Sequence, residues 1–166
     1  FLDVTNSAPL YGSGESIADT LRNRMRTELG LTISVGVSFN KVFAKLGSDM
    51  KKPDAVTLLP REAMVERIWS LPVEELIYCG QSTTTKLKRY SIHTIGDLAQ
   101  ANSEFIHRLL GKNGGLLQEF AQGRDSSPVM NGDFVSPIKS IGHGITCIAD
   151  LENEEEVWRV LLELAQ

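Results

Sequence analysis

The pattern of apolar and polar side chains predicts strands at three places near the start of the chain. Residues 32–38 alternate apolar and polar positions, which is the two-residue period of a strand with one buried face. Residues 1–5 and 55–59 are shorter runs rich in apolar and β-branched residues. We therefore expect strands at 1–5, 32–38 and 55–59.

Two stretches between these strands have the spacing of helices. One runs from about residue 16 to residue 29 with apolar positions one turn apart, and Gly30 is placed to end it. The other follows Asn40, a residue type that caps helices, and keeps its apolar residues on one face as far as Met50. The alternation of strands and helices predicts an α/β layer, with the helices packed on a sheet.

The pattern changes at Pro60, and no convincing strand follows until Gly123. Short helices are expected at 61–69, after the turn that begins at 71, at 82–90 with Ser82 as the cap, at 94–100, at 103–110 with Asn102 or Ser103 as the cap, and at 116–122. A glycine-rich hairpin at 111–115 should separate the last two. This part of the chain is expected to form a small all-helical domain.

The C-terminal part is predicted to contain a linker, a strand and a helix. Residues 123–137 are rich in Gly, Ser, Pro and Asp, as linkers are. Residues 139–148 indicate a strand, and Asn153 is placed to cap a last helix. The apolar residues expected on the inner face of that helix are Val157, Val160, Leu161 and Leu164.

The composition is that of an ordinary globular protein, with 42% hydrophobic and 23% charged residues among 166 and a net charge of −4. The two cysteines, Cys79 and Cys147, lack metal-ligand spacing, which favours a reducing, cytoplasmic setting. The longest apolar runs are too short to cross a membrane. The chain starts in a predicted strand and stops in a predicted helix, so we expect it to be a piece of a longer protein.

Charge is distributed unevenly along the chain. Residues 41–52 carry four lysines and one acid, whereas residues 150–163 carry six acids and one arginine. A basic stretch within an acidic chain is compatible with a local surface that faces phosphates. On composition alone, a solvated basic helix face is the simpler interpretation.

Residues 35–53, VGVSFNKVFAKLGSDMKKP, resemble the palm segment of the Y-family (DNA polymerase IV/UmuC-like) translesion DNA polymerases. The resemblance implies that this segment reaches an incoming nucleotide. It matches Lys52, directly before Pro53, to the lysine that contacts the triphosphate, and it makes Lys45 a weaker candidate nearby. A lysine suits that position because a point cation offsets the negative charge of phosphates.

Residues 75–98 resemble a helix-hairpin-helix, a motif that binds DNA without regard to sequence. Gly80 would let the backbone approach a phosphate, and Lys86, Lys88 and Arg89 would add positive charge. The family's hairpin is usually richer in glycine and proline, and only Gly80 remains here. The candidate contacts of a second hairpin are Gly111, Lys112 and Gly114. A helix-turn-helix that serves only in packing is the structural alternative.

The resemblance implies a multi-domain α+β fold class for nearly the whole chain. Residues 1–59 would be a partial α/β palm sheet with helices, 60–123 an all-helical thumb, 124–136 a linker, and 137–166 the start of a truncated α/β little finger. The little finger is similar to a DNA-gripping module. Lys139, in its expected opening strand, is therefore a candidate phosphate contact.

Polymerases of this class use carboxylates that hold two metal ions, Mg²⁺ in the parent enzyme. The resemblance places the acidic pair of the family directly before Phe1, so we expect no catalytic or metal-binding residue in this chain and no activity from it alone. Asp3 matches a non-catalytic position, and His93, His107 and His143 are too scattered to be metal ligands. The parent would extend a primer-template opposite damaged bases with deoxynucleotide triphosphates, and a sliding clamp is a candidate partner.

Two other classes of function remain open from the residues. The first is a helix-hairpin-helix module that binds DNA without catalysis, fused to an α/β scaffold. The second is a protein-interaction domain whose surface is the acidic helix after Asn153. Salt-dependent affinity for DNA would argue against the second, and an acidic pair encoded upstream of Phe1 would argue against the first.

Overall fold

The computed structural model describes residues 1–165, and Gln166, the last residue of the segment expected at 137–166, lies outside the described residues. The fold is mixed α+β, mostly helical, with a small parallel sheet. The chain divides into two compact units, Phe1–Val129 and Met130–Gln166.

The first unit begins with an α/β arrangement. Its elements are α1 (Ala8–Tyr11), α2 (Gly14–Leu29), β1 (Val35–Ser38), α3 (Lys41–Met50) and β2 (Val56–Leu59). The two strands pair in parallel, with Val35 opposite Val56 and Ser38 opposite Leu59. The two long predicted helices are confirmed. Helix α2 ends at Gly30 with φ 67°, a left-handed conformation that glycine adopts without steric cost.

The strand predicted at 1–5 is wrong. Residues 1–4 have no regular structure, and a short 3₁₀ helix spans Thr5–Ser7. The other two strands are shorter than expected at their N-terminal ends and start at Val35 and Val56. Alternation indicates which backbone can be extended, but a strand also needs a partner for its hydrogen bonds, and β1 pairs only with β2 among residues 1–165.

Helix α3 lies directly against β1 because two glycines face each other there. A Cβ atom on Gly36 would overlap the carbonyl oxygen of Ala44 and lie 2.5 Å from the backbone nitrogen of Ser48. On the helix side, a Cβ atom on Gly47 would lie 3.3 Å from the Cα atom of Gly36. The close approach of the two backbones fixes where α3, and the lysines at its end, lie relative to the sheet.

Short helices follow β2. They are 3₁₀ helices at Arg61–Ala63 and Val73–Glu75, a π-helix at Met64–Ile68, and α4 (Gln81–Lys88), α5 (Ile95–Gln100), α6 (Ser103–Leu110) and α7 (Lys112–Ala121). Asn102 is the residue that caps α6, because its side chain accepts a hydrogen bond from the Phe105 N–H at 2.9 Å. Side chains from the α/β elements and from these helices share one buried core, including Phe43, Leu59, Ile68, Leu87 and Ile106.

Two details of the helical part differ from the predictions. Helix α4 begins at Gln81, with Gly80 rather than Ser82 at its cap and no capping side chain. The break expected at 111–115 is a single residue, Gly111, and Gly114 and Gly115 lie inside α7. Glycine is a poor helix former in isolation, but burial of an apolar helix face outweighs that preference.

The second unit contains one helix, α8 (Glu154–Leu164). Asn153 caps it as expected, because its side chain accepts a hydrogen bond from the Glu156 N–H at 3.0 Å. The strand predicted at 139–148 is wrong, since residues 139–148 contain no helix or strand. The inward face predicted for α8 is also wrong in part, because Val157 is 41% exposed and Leu161 is 52% exposed. Within the residues that the structure describes, this unit supplies no sheet against which α8 could pack.

None of the helices among residues 1–165 is both long enough and apolar enough to cross a membrane.

Candidate nucleotide and nucleic-acid interface

The two lysines expected to meet a triphosphate come together at the C-terminal end of α3. The Lys45 Nζ atom lies 2.6 Å from Asp49 Oδ2, and the Lys52 Nζ atom lies 2.7 Å from Asp49 Oδ1. These hydrogen bonds hold the pKa of the Asp49 carboxyl below its usual value, and the bond from Lys45 has the larger effect. The Lys52 side chain is 60% exposed, so its ammonium group is accessible to an anion from solvent.

Helix α2 anchors the turn that carries Lys52. Asp54, two residues further on, adopts a left-handed backbone with φ 54°. Two arginines on one face of α2 contact it. Arg26 Nη1 donates to Asp54 Oδ2 at 3.2 Å. Arg22 Nη1 forms an ion pair with Oδ1 at 3.0 Å and donates to the Asp54 backbone carbonyl at 3.4 Å. The sequence analysis missed this clamp. The i,i+4 spacing of Arg22 and Arg26 places both on one helix face, but the sequence does not indicate which residue they contact.

The first hairpin, Tyr78–Gly80, leads into α4 and presents basic side chains to solvent. Lys86 and Arg89 are exposed, and neither forms an ion pair with any residue from 1 to 165. Lys88 differs, because its Nζ atom lies 2.7 Å from Glu74 Oε1, and this bond lowers the pKa of Glu74. Two of the three cations predicted for this helix are thus available to phosphates without breaking an internal contact.

The second predicted hairpin is the junction of α6 and α7. Gly111 has φ 67° and ends one helix while preceding the other, and Lys112 next to it is exposed. Gly114 is buried, and a Cβ atom there would lie 2.6 Å from the carbonyl oxygen of Ile106. Gly114 therefore allows α6 and α7 to pack closely, while a DNA contact at this glycine stays a prediction.

The two hairpins line one groove of about 520 Å³. Tyr78, Thr83 and Lys86 form one wall, and Leu109, Leu110 and Asn113 at the second junction contribute to the other. A smaller groove of about 300 Å³ lies between Lys45 and Asp49 of α3 and the segment from Glu74 to Gly80. Tyr78 lines both grooves, which together bring residues from Lys45 in α3 to Leu117 in α7 around one side chain.

Three further residues singled out by the sequence are Asp3, Lys139 and Cys79. Asp3 accepts a hydrogen bond from the Thr5 N–H at 3.0 Å, as a turn-forming aspartate does. Lys139 is exposed and belongs to the second unit. Cys79 is a buried free thiol whose pKa is raised by burial. Within residues 1–165, His, Cys, Asp and Glu side chains form no cluster of three that could hold a metal ion.

Comparison with known proteins gives consistent matches. The model of the impB/mucB/samB family matches residues 1–49. DNA polymerase IV of Acetivibrio thermocellus is 55% identical over 162 residues, which are 98% of this chain and 40% of that protein. The structure of DinB from Sulfolobus solfataricus matches with a TM-score of 0.70 and 26% identity, over 78% of this chain and 39% of that chain. An insertion ternary complex of the Dbh DNA polymerase also gives 0.70 and 26%, over 78% of this chain and 38% of that chain.

The chain is similar to Y-family DNA polymerases over most of its length, as residues 35–53 indicated. The relatives from Acetivibrio thermocellus and Moorella thermoacetica, which are 55% and 40% identical to this chain, are both named DNA polymerase IV. The chain spans about 40% of the length of the curated relatives that it matches.

Proposed function

We propose that this chain is the part of a translesion DNA polymerase that holds the DNA backbone and the incoming deoxynucleotide triphosphate. The observation that carries the proposal is the groove shared by the two hairpins, with Lys86 in its wall and Arg89 and Lys112 exposed on the same two elements. Basic side chains beside hairpins suit a DNA backbone, because contacts to phosphates position a duplex without reading its sequence. Residues 1–59 would be part of the palm, 60–123 the thumb and 137–166 the start of the little finger.

Lys52 and Lys45 are the proposed triphosphate contacts. In the unbound chain both ammonium groups neutralise Asp49 at 2.6–2.7 Å. A triphosphate carries more negative charge than one carboxylate, so it competes for Lys52, the more exposed of the two lysines. Asp49 would then hold Lys52 near its working position before the nucleotide arrives.

Polymerases of this class rely on Mg²⁺, which activates the primer hydroxyl and stabilises the leaving pyrophosphate. The described residues do not form a site for Mg²⁺, because no three potential ligands come together among residues 1–165. We therefore assign no catalytic step to this chain, and we expect nucleotidyl transfer to need carboxylates of a longer polymerase chain. In that setting the partners would be primer-template DNA and a sliding clamp, in the cytoplasm.

The test is a charge reversal on the proposed DNA face. The triple variant Lys86→Glu, Lys88→Glu and Arg89→Glu should bind a fluorescein-labelled primer-template about tenfold more weakly at low salt. The slope of log affinity against log salt concentration should also flatten by about two to three, since each phosphate contact contributes close to one. Equilibrium anisotropy titrations at several salt concentrations measure both quantities.

A matched control separates this face from the effect of net charge. The triple variant Arg24→Glu, Arg67→Glu and Arg159→Glu changes the net charge equally at exposed positions outside the hairpins. It should keep most of the affinity and of the salt slope. Equal losses in both triple variants, or none in the hairpin variant, would refute the assignment of this face, and an absence of salt-dependent binding by the native chain would favour a protein-interaction domain.

A further inference from the structure

Tyr78 is an exposed aromatic residue on a strained backbone. Its φ is 68°, in the left-handed region that favours glycine, and its side chain is 73% exposed. A bulky residue in this conformation costs free energy that a glycine at the same place would not. The fold therefore does not explain why this position carries a ring.

Packing gives only a partial reason for the tyrosine. The Tyr78 ring lies against Phe120 on one side, with ring centroids 6.1 Å apart and planes at 35°. The large exposed fraction shows that the rest of the ring faces solvent. By contrast, Leu76 and Cys79 in the same turn are buried. These two side chains, rather than Tyr78, anchor the hairpin in the apolar core.

The position of Tyr78 places it between the cations of the proposed interface. It lines the hairpin groove together with Lys86 and Asn113. It also lines the smaller groove that contains Lys45 and Asp49. An aromatic ring between lysines is the arrangement with which proteins hold a nucleic-acid strand, since the ring packs on sugars or bases while the cations meet phosphates.

We propose that Tyr78 is a DNA-binding residue whose ring packs against a deoxyribose of the strand that follows the hairpin groove. The inference rests on the proposed function, because it assumes that the hairpin face binds DNA. Within that assumption it adds an apolar contact to a face so far described only by its charges. The open side of the ring provides that contact, and Phe120 supports the other side.

The variant Tyr78→Gly tests the proposal, because glycine adopts φ 68° without strain. It should remain folded, because relief of the left-handed strain offsets part of the lost contact with Phe120, while binding a fluorescein-labelled primer-template about fivefold more weakly. Tyr78→Phe, which keeps the ring, should bind within about twofold of the native chain if the ring makes the contact. Tyr11→Ala, which removes a ring that is 70% exposed on α1, should leave DNA affinity unchanged.

The outcomes separate this inference from the proposed function. Native affinity in Tyr78→Gly, with a weakened Lys86, Lys88 and Arg89 triple variant, would overturn the role of Tyr78 alone. Equal weakening in Tyr78→Gly and Tyr11→Ala would also overturn it, since the loss would not be specific to the hairpin. No DNA affinity in the native chain would overturn both proposals.

Discussion

Asp49 forms ion pairs with the two lysines that we propose as triphosphate contacts. Its carboxylate oxygens lie within 2.7 Å of the ammonium groups of Lys45 and Lys52, whose hydrogen bonds hold the pKa of Asp49 below its usual value. The neighbouring Lys51 is exposed and forms no ion pair with a residue between 1 and 165. The two adjacent lysines therefore differ in their contacts while sharing charge and exposure, which makes them a natural pair for mutation.

Lys52→Ala, made in the longer polymerase chain that contains these residues, should raise the KM for deoxynucleotide triphosphate about tenfold. The reason is the loss of one charge-assisted hydrogen bond to the triphosphate. Lys51→Ala is the control and should change the KM little. Steady-state primer extension at varied nucleotide concentration measures both, and an unchanged KM in Lys52→Ala would remove this lysine from the nucleotide site.

Asp97 has a structural role that is separate from binding. Its carboxylate accepts from the N–H groups of Thr94 at 2.9 Å and His93 at 3.0 Å, and the Thr94 hydroxyl accepts from the Asp97 N–H in return. This capping box starts α5, and the backbone hydrogen bond from Thr94 is the largest cause of the lowered Asp97 pKa. A depressed folded-state pKa means that protonation favours the unfolded chain.

Asp97→Ala should lower the free energy of unfolding by about 1 kcal/mol, the usual effect of losing a capping side chain. The stabilisation by Asp97 is fully present above its ordinary pKa of 3.8 and is lost as the pH falls through the lower folded-state value. The difference between native chain and variant in urea unfolding should thus shrink on acidification. Glu104→Ala, an exposed acid in the first turn of α6, should show neither effect.

At the scale of elements, the contact between α3 and β1 decides where the lysines lie. Gly36→Ala would place a methyl group into the backbone of α3, and we expect a loss of about 1–3 kcal/mol or more. Gly115→Ala is the matched control, because a Cβ atom at this helical position meets nothing within 4 Å. It should stabilise the chain by about 0.5–1 kcal/mol. Thermal unfolding followed by circular dichroism compares them, and equal midpoints would contradict the close packing.

At the scale of the whole molecule, the buried core belongs to the first unit. All residues of the core cluster lie between Val42 and Ala121. The segment after α7 is also attached to the start of α3, since Asn40 Nδ2 donates to the Gly123 carbonyl at 3.0 Å and Lys41 Nζ donates to the Pro128 carbonyl at 2.9 Å. The structural boundary of the first unit is therefore Val129 rather than Ala121, where α7 ends.

A chain of residues 1–129 should keep the far-ultraviolet circular dichroism of a folded protein and unfold within a few degrees of the first unit in the native chain. A chain of residues 1–121 is the comparison, and it should unfold at a clearly lower temperature. It loses fewer than ten further residues, but with them the hydrogen bonds to Gly123 and Pro128 and the burial of Gly123, each bond contributing about 1 kcal/mol. Equal midpoints for the two shortened chains would contradict a boundary at Val129.

Features that depend only on neighbours within one element could be predicted from the sequence alone. Helical spacing and the caps at Asn40, Asn102 and Asn153 predicted α3, α6 and α8, because a capping side chain reaches only three residues along the chain. Residues 35–53 were sufficient to indicate the family. These signals are local, so a single sequence contains all the information that they need.

Features that depend on residues distant in sequence became visible only in the three-dimensional structure. The strands expected at 1–5 and 139–148 did not form, because extended backbone needs a partner strand for its hydrogen bonds. The clamp of Arg22 and Arg26 on Asp54 joins residues about thirty positions apart, and the grouping of the two hairpins around Tyr78 does the same. Side-chain type and spacing predict which groups can bind, but only the path of the chain determines which of them meet.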